Sequence, residues 1–358
     1  MKKLDLYILK KFLGTFFFSI SLILIIVVVF DISEKIDDFI QHQAPLKAIV
    51  FDYYFNFLPY FANLFSPLFT FIAVIFFTSR LAANTEIVAI LNSGVSFWRM
   101  LRPYLLGSFV IALLSLFLTN FVIPDANKKR LDFERKYIRV FFWNSDQNIH
   151  KQIEPGVFIY VSNYNTLVNQ GDKFSMEKFK DGKLCSKLMS HMISWDSTKS
   201  NWGITNYMIR SIADNKESVR IGDHLDTVIN LQPKDFGKQL NSIDEMNFAD
   251  LNNYISVEKE KGSDKLEFFE IEKHKRIAFP FATVILTIIG VSMSSRKVRG
   301  GIGMHIGIGL LISFSFILFM QVTTTFAASG LISAFVAVWI PNVIYGVLGV
   351  FLLRSAPK

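Results

Sequence analysis

Hydrophobic positions in this chain come in long unbroken runs, not in the alternating or three-to-four spacing of a soluble core. Phe12 to Phe30 is uncharged for 19 residues and is closed by Lys10, Lys11 and Asp31. A hydrocarbon core about 30 Å thick needs roughly 20 apolar residues in a helix, so this run predicts a membrane span; it is too long and too firmly closed by charge for a signal-peptide core. Tyr53 to Ser79 is uncharged for 27 residues and holds Pro59, Asn63 and Pro67, which predicts a long, tilted or kinked span. Pro103 to Pro124 supplies a third span and Ile277 to Ser295 a fourth. From Gly300 to Leu353 the only ionisable group is His305, which leaves room for two more spans broken near Ala327 to Gly330. The pattern therefore predicts six transmembrane helices.

Two stretches depart from it. NTEIVAILNSGVSFWRM, Asn84 to Met100, places Ile87, Ile90 and Leu91 at helical spacing, with Thr85, Glu86 and Asn92 on other faces. A short amphipathic helix at about 84–94 is expected where a plain loop would suffice. Such a helix lies on a membrane surface or docks in a groove of a partner. Glu86 argues against an anionic lipid surface, but composition leaves both uses open.

The second stretch, Asp125 to Arg276, is polar. GVFIYVSNYN and SNWGITNYMIRSI read as strands, and NQGD and KDGK as turns, which suits a small β-sandwich or jelly roll. NFADLNNYISVEKEKG reads as a helix with Asn247 near its start and Gly262 at its end. The expected fold class is a membrane α-helical protein of six transmembrane helices with an inserted extracytoplasmic β-jellyroll domain. Its expected divisions are residues 1–124 (spans one to three), 125–246 (β-domain), 247–276 (helix and connector) and 277–358 (spans four to six).

Charge sets the orientation. Lys2, Lys3, Lys10 and Lys11 precede the first span, Arg80, Arg99 and Arg102 flank the short helix, and Arg296, Lys297 and Arg299 follow the fourth span. By the positive-inside rule these ends, and both termini, face the cytoplasm, while the long polar segment lies on the far side. Composition agrees with the membrane class: 51% of the 358 residues are hydrophobic, mean hydropathy is +0.35, and 37 Phe exceed the needs of a soluble core.

The chain lacks a phosphate-loop motif, a G-x-G-x-x-G after a strand and a metal-spaced His or Cys cluster. No catalytic residue and no metal ligand is expected. His150, His191, His224 and His274 read as surface groups of the polar segment, and His305 as a helix-end anchor. Gly300, Gly301, Gly303, Gly307 and Gly309 read as small-residue helix packing. Cys185 is alone, so no internal disulfide staples the domain. No ionisable residue falls near the centre of a span, which disfavours a proton- or sodium-coupled carrier.

Four stretches together resemble the lipopolysaccharide-export permease family, LptF/LptG: LDLYILKKFLGTF, NTEIVAILNSGVSFWRML, HKRIAFPFATVILTIIGVSMSSRKVRGG and AVWIPNVIYGVLG. Their order, the six-span plan and the insertion after the third span extend the resemblance over essentially the whole chain. It implies a non-catalytic subunit of an ATP-driven exporter in the Gram-negative inner membrane, with both termini cytoplasmic and the β-domain periplasmic. The implied partners are a cytosolic LptB-like ATPase dimer, a paired LptF- or LptG-like permease, an LptC-like single-span protein, an LptA-like periplasmic bridge and lipopolysaccharide. No nucleic acid is implied. No cofactor is expected on this chain, since ATP and magnesium belong to the partner ATPase.

The resemblance also assigns roles to residues. The short helix becomes the coupling helix: Glu86 meets a basic residue of the ATPase, Ile87, Ile90, Leu91 and Asn92 form the seat, and Gly94 turns the chain back. The first and fifth spans become a lateral gate, with Phe30, Lys35, Phe65, Phe69, Phe316 and Phe319 as cavity or gate residues. In one respect the sequence departs from the family: FDISEKIDD surrounds the single Lys35 with Asp31, Glu34, Asp37 and Asp38, where relatives carry several basic residues. The paired permease, a bridging divalent cation or a lipid with fewer phosphates would each accommodate this. Two other readings remain: a membrane-anchored scaffold for envelope proteins, and a permease for a different lipid.

Overall fold

The computed structural model describes residues 3–138, 147–165, 168–180, 182–197, 199–213, 216–236, 240–260, 266–296 and 301–356. Lys2, Asp181, Gly262, Lys297, Arg299 and Gly300 lie outside the described residues. The chain divides into two compact units, residues 1–139, 245–248 and 267–358, and residues 140–244 and 249–266.

The first unit is helical. Helix α1 is Lys3–Gln41, followed by the short turn α2, Leu46–Ala48, and by α3, Phe55–Ala83. Then come α4, Glu86–Asn92, α5, Phe97–Phe117, and α6, Ile123–Tyr137. After the inserted unit, α9 (Leu266–Ser294), α10 (Gly301–Ala328) and α11 (Ala334–Arg354) complete it. Among the described residues six helical stretches are long and apolar enough to cross a membrane, as the run lengths predict. The third stretch does not stop at Pro124. It continues through α6, so the helical unit reaches residue 139 and the β-domain begins later than 125.

Two spans contain a widened π-helical turn, Ile49–Tyr54 and Leu118–Val122. Such turns leave carbonyls poorly served by the helix, and side-chain amides meet them. Asn56 Nδ2 donates to the carbonyls of Phe51 and Asp52, each at 2.9 Å, and Asn120 Nδ2 to that of Leu116 at 2.8 Å. Pro59 and Pro67 are accommodated inside α3 without breaking it. The break after α10 is a Schellman end: Gly330, at φ +77°, donates to Ala327 and Leu331 donates to Phe326.

Close approach between helices uses glycine, though not the full predicted stripe. A Cβ on Gly309 would strike Ile75 and one on Gly107 would lie 2.7 Å from the Phe12 ring, whereas Gly303 and Gly307 face open space. His305 is buried, and its Nε2 donates to the Arg296 carbonyl at 3.1 Å, the anchoring role expected of it.

The second unit is a single six-stranded antiparallel sheet in the order β1-β2-β3-β4-β5-β6. The strands are β1 Gln147–Glu154, β2 Val157–Asn165, β3 Gln170–Lys180, β4 Lys183–Asp196, β5 Asn201–Ala213 and β6 Lys216–Thr227. The unit also holds the short helix α7, Pro233–Phe236, and α8, Phe248–Glu260, the latter predicted from sequence. The β character is as expected, and the connectivity refines it. Each strand pairs with its neighbour in sequence, so among the described residues the sheet is a meander, with no Greek-key crossover of the kind that defines a jelly roll.

One face of the sheet carries the core, with Ile159, Val161, Tyr164, Phe174, Leu188, Ile193, Trp202, Ile204 and Tyr207 buried. Asn206, at φ +52°, resets the alternation, so that Trp202 and Ile204 before it and Tyr207 after it all point inward. The chain beyond β6 covers this face. Trp202 Nε1 donates to the Leu231 carbonyl at 2.8 Å, and Phe236 stacks on Tyr164 with ring centroids 4.1 Å apart.

Candidate functional site

The short helix α4 exists because both its ends are forced to turn. Thr85, at φ +61°, ends α3 in the left-handed region, and Gly94, at φ +84°, releases the chain from α4. A β-branched residue there is strained, while glycine is at ease. Ser96 then caps α5, its Oγ accepting the Arg99 backbone N–H at 3.3 Å. The seven residues of α4 are thus held as one rigid piece between two spans.

Its orientation changes the predicted docking surface. Ile87 is 1% exposed and lies in a core with Ile8 and Phe12 of α1, Phe77 and Leu81 of α3, and Phe97, Met100 and Leu101 of α5. Ile90 and Leu91 pack against the same core. The i, i+3, i+4 face read as the seat for a partner is therefore largely committed to the chain's own interior. Exposed instead are Val88 at 54%, Trp98 at 63%, and Ala89, Asn92, Ser93 and Gly94. Glu86 is half-exposed, its carboxylate accepting from Asn84 Nδ2 at 3.1 Å and from the Tyr7 hydroxyl at 3.4 Å.

The other candidate region is the far end of α1. Lys35 is not available as a lone cation: its Nζ lies 2.8 Å from Asp31 Oδ1, contacts the Tyr53 hydroxyl and sits over the Tyr53 ring. Asp31 also accepts from the hydroxyls of Tyr53 and Tyr54 at 3.2 and 3.0 Å. This polar knot rests on an aromatic cluster of Phe39, Tyr53, Tyr54, Phe57 and Phe133. On α6, which contributes Phe133, the exposed residues include Lys128, Lys129 and Lys136.

The predicted cavity residues separate into three kinds. Phe30 is 72% exposed on α1. Phe65 and Phe69 are half-buried and extend an aromatic run from Tyr53 through Phe57 and Phe61 along one side of α3. Phe319 is half-buried, but Phe316 is 2% exposed, packed with Ala278, Ala282 and Met320 and edge-on to Tyr345, which leaves it no surface for a lipid chain. Among the described residues no group of three or more His, Cys, Asp or Glu is placed to hold a metal ion.

Sequence reading missed the ties between α1 and the α4 segment. Asp5 is buried, and its Oδ2 lies 2.6 Å from Arg99 Nη2. An acidic residue within the basic tip MKKLDLYILKK was the available signal, and Arg99 counted only toward orientation.

No curated protein matches the chain. A family model does, over residues 6–355, and its description is lipopolysaccharide export system permease LptF/LptG. The match includes all six apolar helices and the inserted sheet, and the chain is therefore a multi-pass membrane protein that belongs to the LptF/LptG family of lipopolysaccharide export permeases.

Proposed function

We propose that the chain is the transmembrane subunit of an ATP-driven exporter that draws lipopolysaccharide out of the inner membrane and passes it to periplasmic β-domains. The observation that carries this reading is α4. A seven-residue helix locked between two left-handed residues, one face in the chain's own core and the other offering Val88, Ala89 and Asn92, with Trp98 of α5 exposed as well, suits docking of a cytosolic motor. Glu86 stands at its edge for a basic group of that motor. ATP and magnesium are used on the partner ATPase, not here.

Orientation follows the positive charges. Lys3, Lys10, Lys11, Arg80, Arg99 and Arg102 gather at the α4 end, which is assigned to the cytoplasm, with the β-domain in the periplasm. Among the described residues the sheet ends in β1 and β6, whose edges are the proposed joints to LptC-like and LptA-like sheets, and Val219 and Ile221 are exposed on β6. A second, LptF- or LptG-like, permease completes the lipid path beside α1 and α10. Because Lys35 is neutralised by Asp31, lipid phosphates are assigned to the exposed lysines of α6, Lys129 foremost.

The test is to express the chain with its genomic ATPase and partner permease, recover the complex on a tag, and assay hydrolysis with and without lipopolysaccharide. A stable complex with lipid-stimulated hydrolysis supports the exporter. Association without a response to lipopolysaccharide indicates another lipid, and recovery of the chain alone indicates a scaffold. Glu86→Lys is expected to weaken ATPase recovery while membrane insertion is unchanged.

A further inference from the structure

The end of α1 is fastened to the α4 segment at two points. Asp5, buried in the first turn of α1, pairs with Arg99 in the first turn of α5, 2.6 Å apart across 94 positions of sequence. Two residues along α1, the Tyr7 hydroxyl donates to Glu86, the first residue of α4, while the Tyr7 ring meets Phe77 edge-on at 6.4 Å. One tie is made at the first residue of α4 and the other beyond its end, and Ile8 lies in the same core as Ile87. A displacement of α4 toward or away from the membrane therefore carries the end of α1 with it.

Helix α1 can pass that displacement on. It runs 39 residues without proline, about 58 Å at 1.5 Å per residue, so it reaches from the α4 end to the Asp31–Lys35–Tyr53 knot as one rod. Of the two ties, the ion pair is the stronger constraint. It joins opposite charges at 2.6 Å on a buried carboxylate, where the Tyr7–Glu86 bond spans 3.4 Å.

We infer that the Asp5–Arg99 pair is the positioning device that couples movement of α4 to α1, and thereby sets how much lipid moves for each ATP consumed. Neither residue touches lipid or nucleotide in this scheme. The inference rests on the exporter reading, and its test separates the two.

The complex of this chain, its cognate ATPase and its partner permease is reconstituted with lipopolysaccharide, and ATP hydrolysis and lipid delivered to a soluble acceptor are measured together. Asp5→Asn is expected to leave complex recovery intact and hydrolysis within about twofold, while lipid delivered per ATP falls about tenfold, within the span of ordinary coupling between sites. The exchange Asp5→Arg with Arg99→Asp is expected to restore roughly half of the lost ratio or more. Unchanged lipid per ATP in Asp5→Asn overturns the inference. So does loss of the assembled complex in both variants, which would make the pair a structural pin. A wild-type chain that binds no ATPase overturns the exporter reading itself, and the inference with it.

Discussion

In α4, Ile87 is sealed in the core shared with α1, α3 and α5, and Val88, one residue on, stands in the open. Helical geometry turns successive side chains by about 100°, so neighbours of equal hydrophobicity take unlike environments. Ile87→Ala removes three carbons from a filled site and is expected to cost about 2–5 kcal/mol of stability. Val88→Ala is expected to change stability by no more than about 0.5 kcal/mol. Thermal unfolding in detergent checks both, and co-purification with the ATPase checks the second claim, that Val88→Ala lowers recovery although the chain folds normally. A Val88→Ala chain that binds the ATPase as wild type does would remove this residue from the docking surface.

At the scale of elements, the β-domain has no disulfide to hold it, and its strands depend on what closes their interior face. The indole of Trp202 both fills that interior and donates to the Leu231 carbonyl. Trp202→Phe leaves that carbonyl without its partner, and a loss of about 1–3 kcal/mol is expected in urea unfolding of the intact chain. The start of β5 and end of β6 carry a second dependence. The Asp226 carboxyl is held below the ordinary carboxylate value, first by the hydrogen bond from His224 and then by that from Lys199. A depressed folded value means that the contribution is present above the unfolded value near 3.8 and is lost as pH falls through the folded one. The urea midpoint of the β-domain is therefore expected to fall on acidification below about pH 4, and Asp226→Asn to flatten part of that fall. An identical pH profile in the variant would assign the acid sensitivity to other carboxylates.

For the whole molecule, the proposed exporter has both ends of the chain on the cytoplasmic side and the β-domain on the other. A reporter fused to the C-terminus is expected to be cytoplasmic, and one inserted after Gly182, an exposed turn with open space around it, to be periplasmic. The reverse pattern would overturn the orientation of every site above. Span number and the β nature of the insertion were legible in the sequence because they depend on local run length and alternation, which the bilayer and the sheet demand of every segment alike. The existence of α4 was legible for the same reason, in the spacing of Ile87, Ile90 and Leu91. What that face packs against was not, because an apolar stripe is written identically for a partner and for the chain's own core. Likewise the sequence set Lys35 among four acidic residues without saying that Asp31 and Tyr53 are its partners, and Asp5 and Arg99 gave no joint signal at a separation of 94 residues. The meander order of the strands was equally silent, since turn signals do not say which strands pair. The sequence by itself determined the spans, the insertion and the short helix, because each obeys a periodicity within one segment. Only the tertiary structure decided which face of α4 is free, which charges are paired and which Phe is buried, because those depend on surfaces brought together from distant segments.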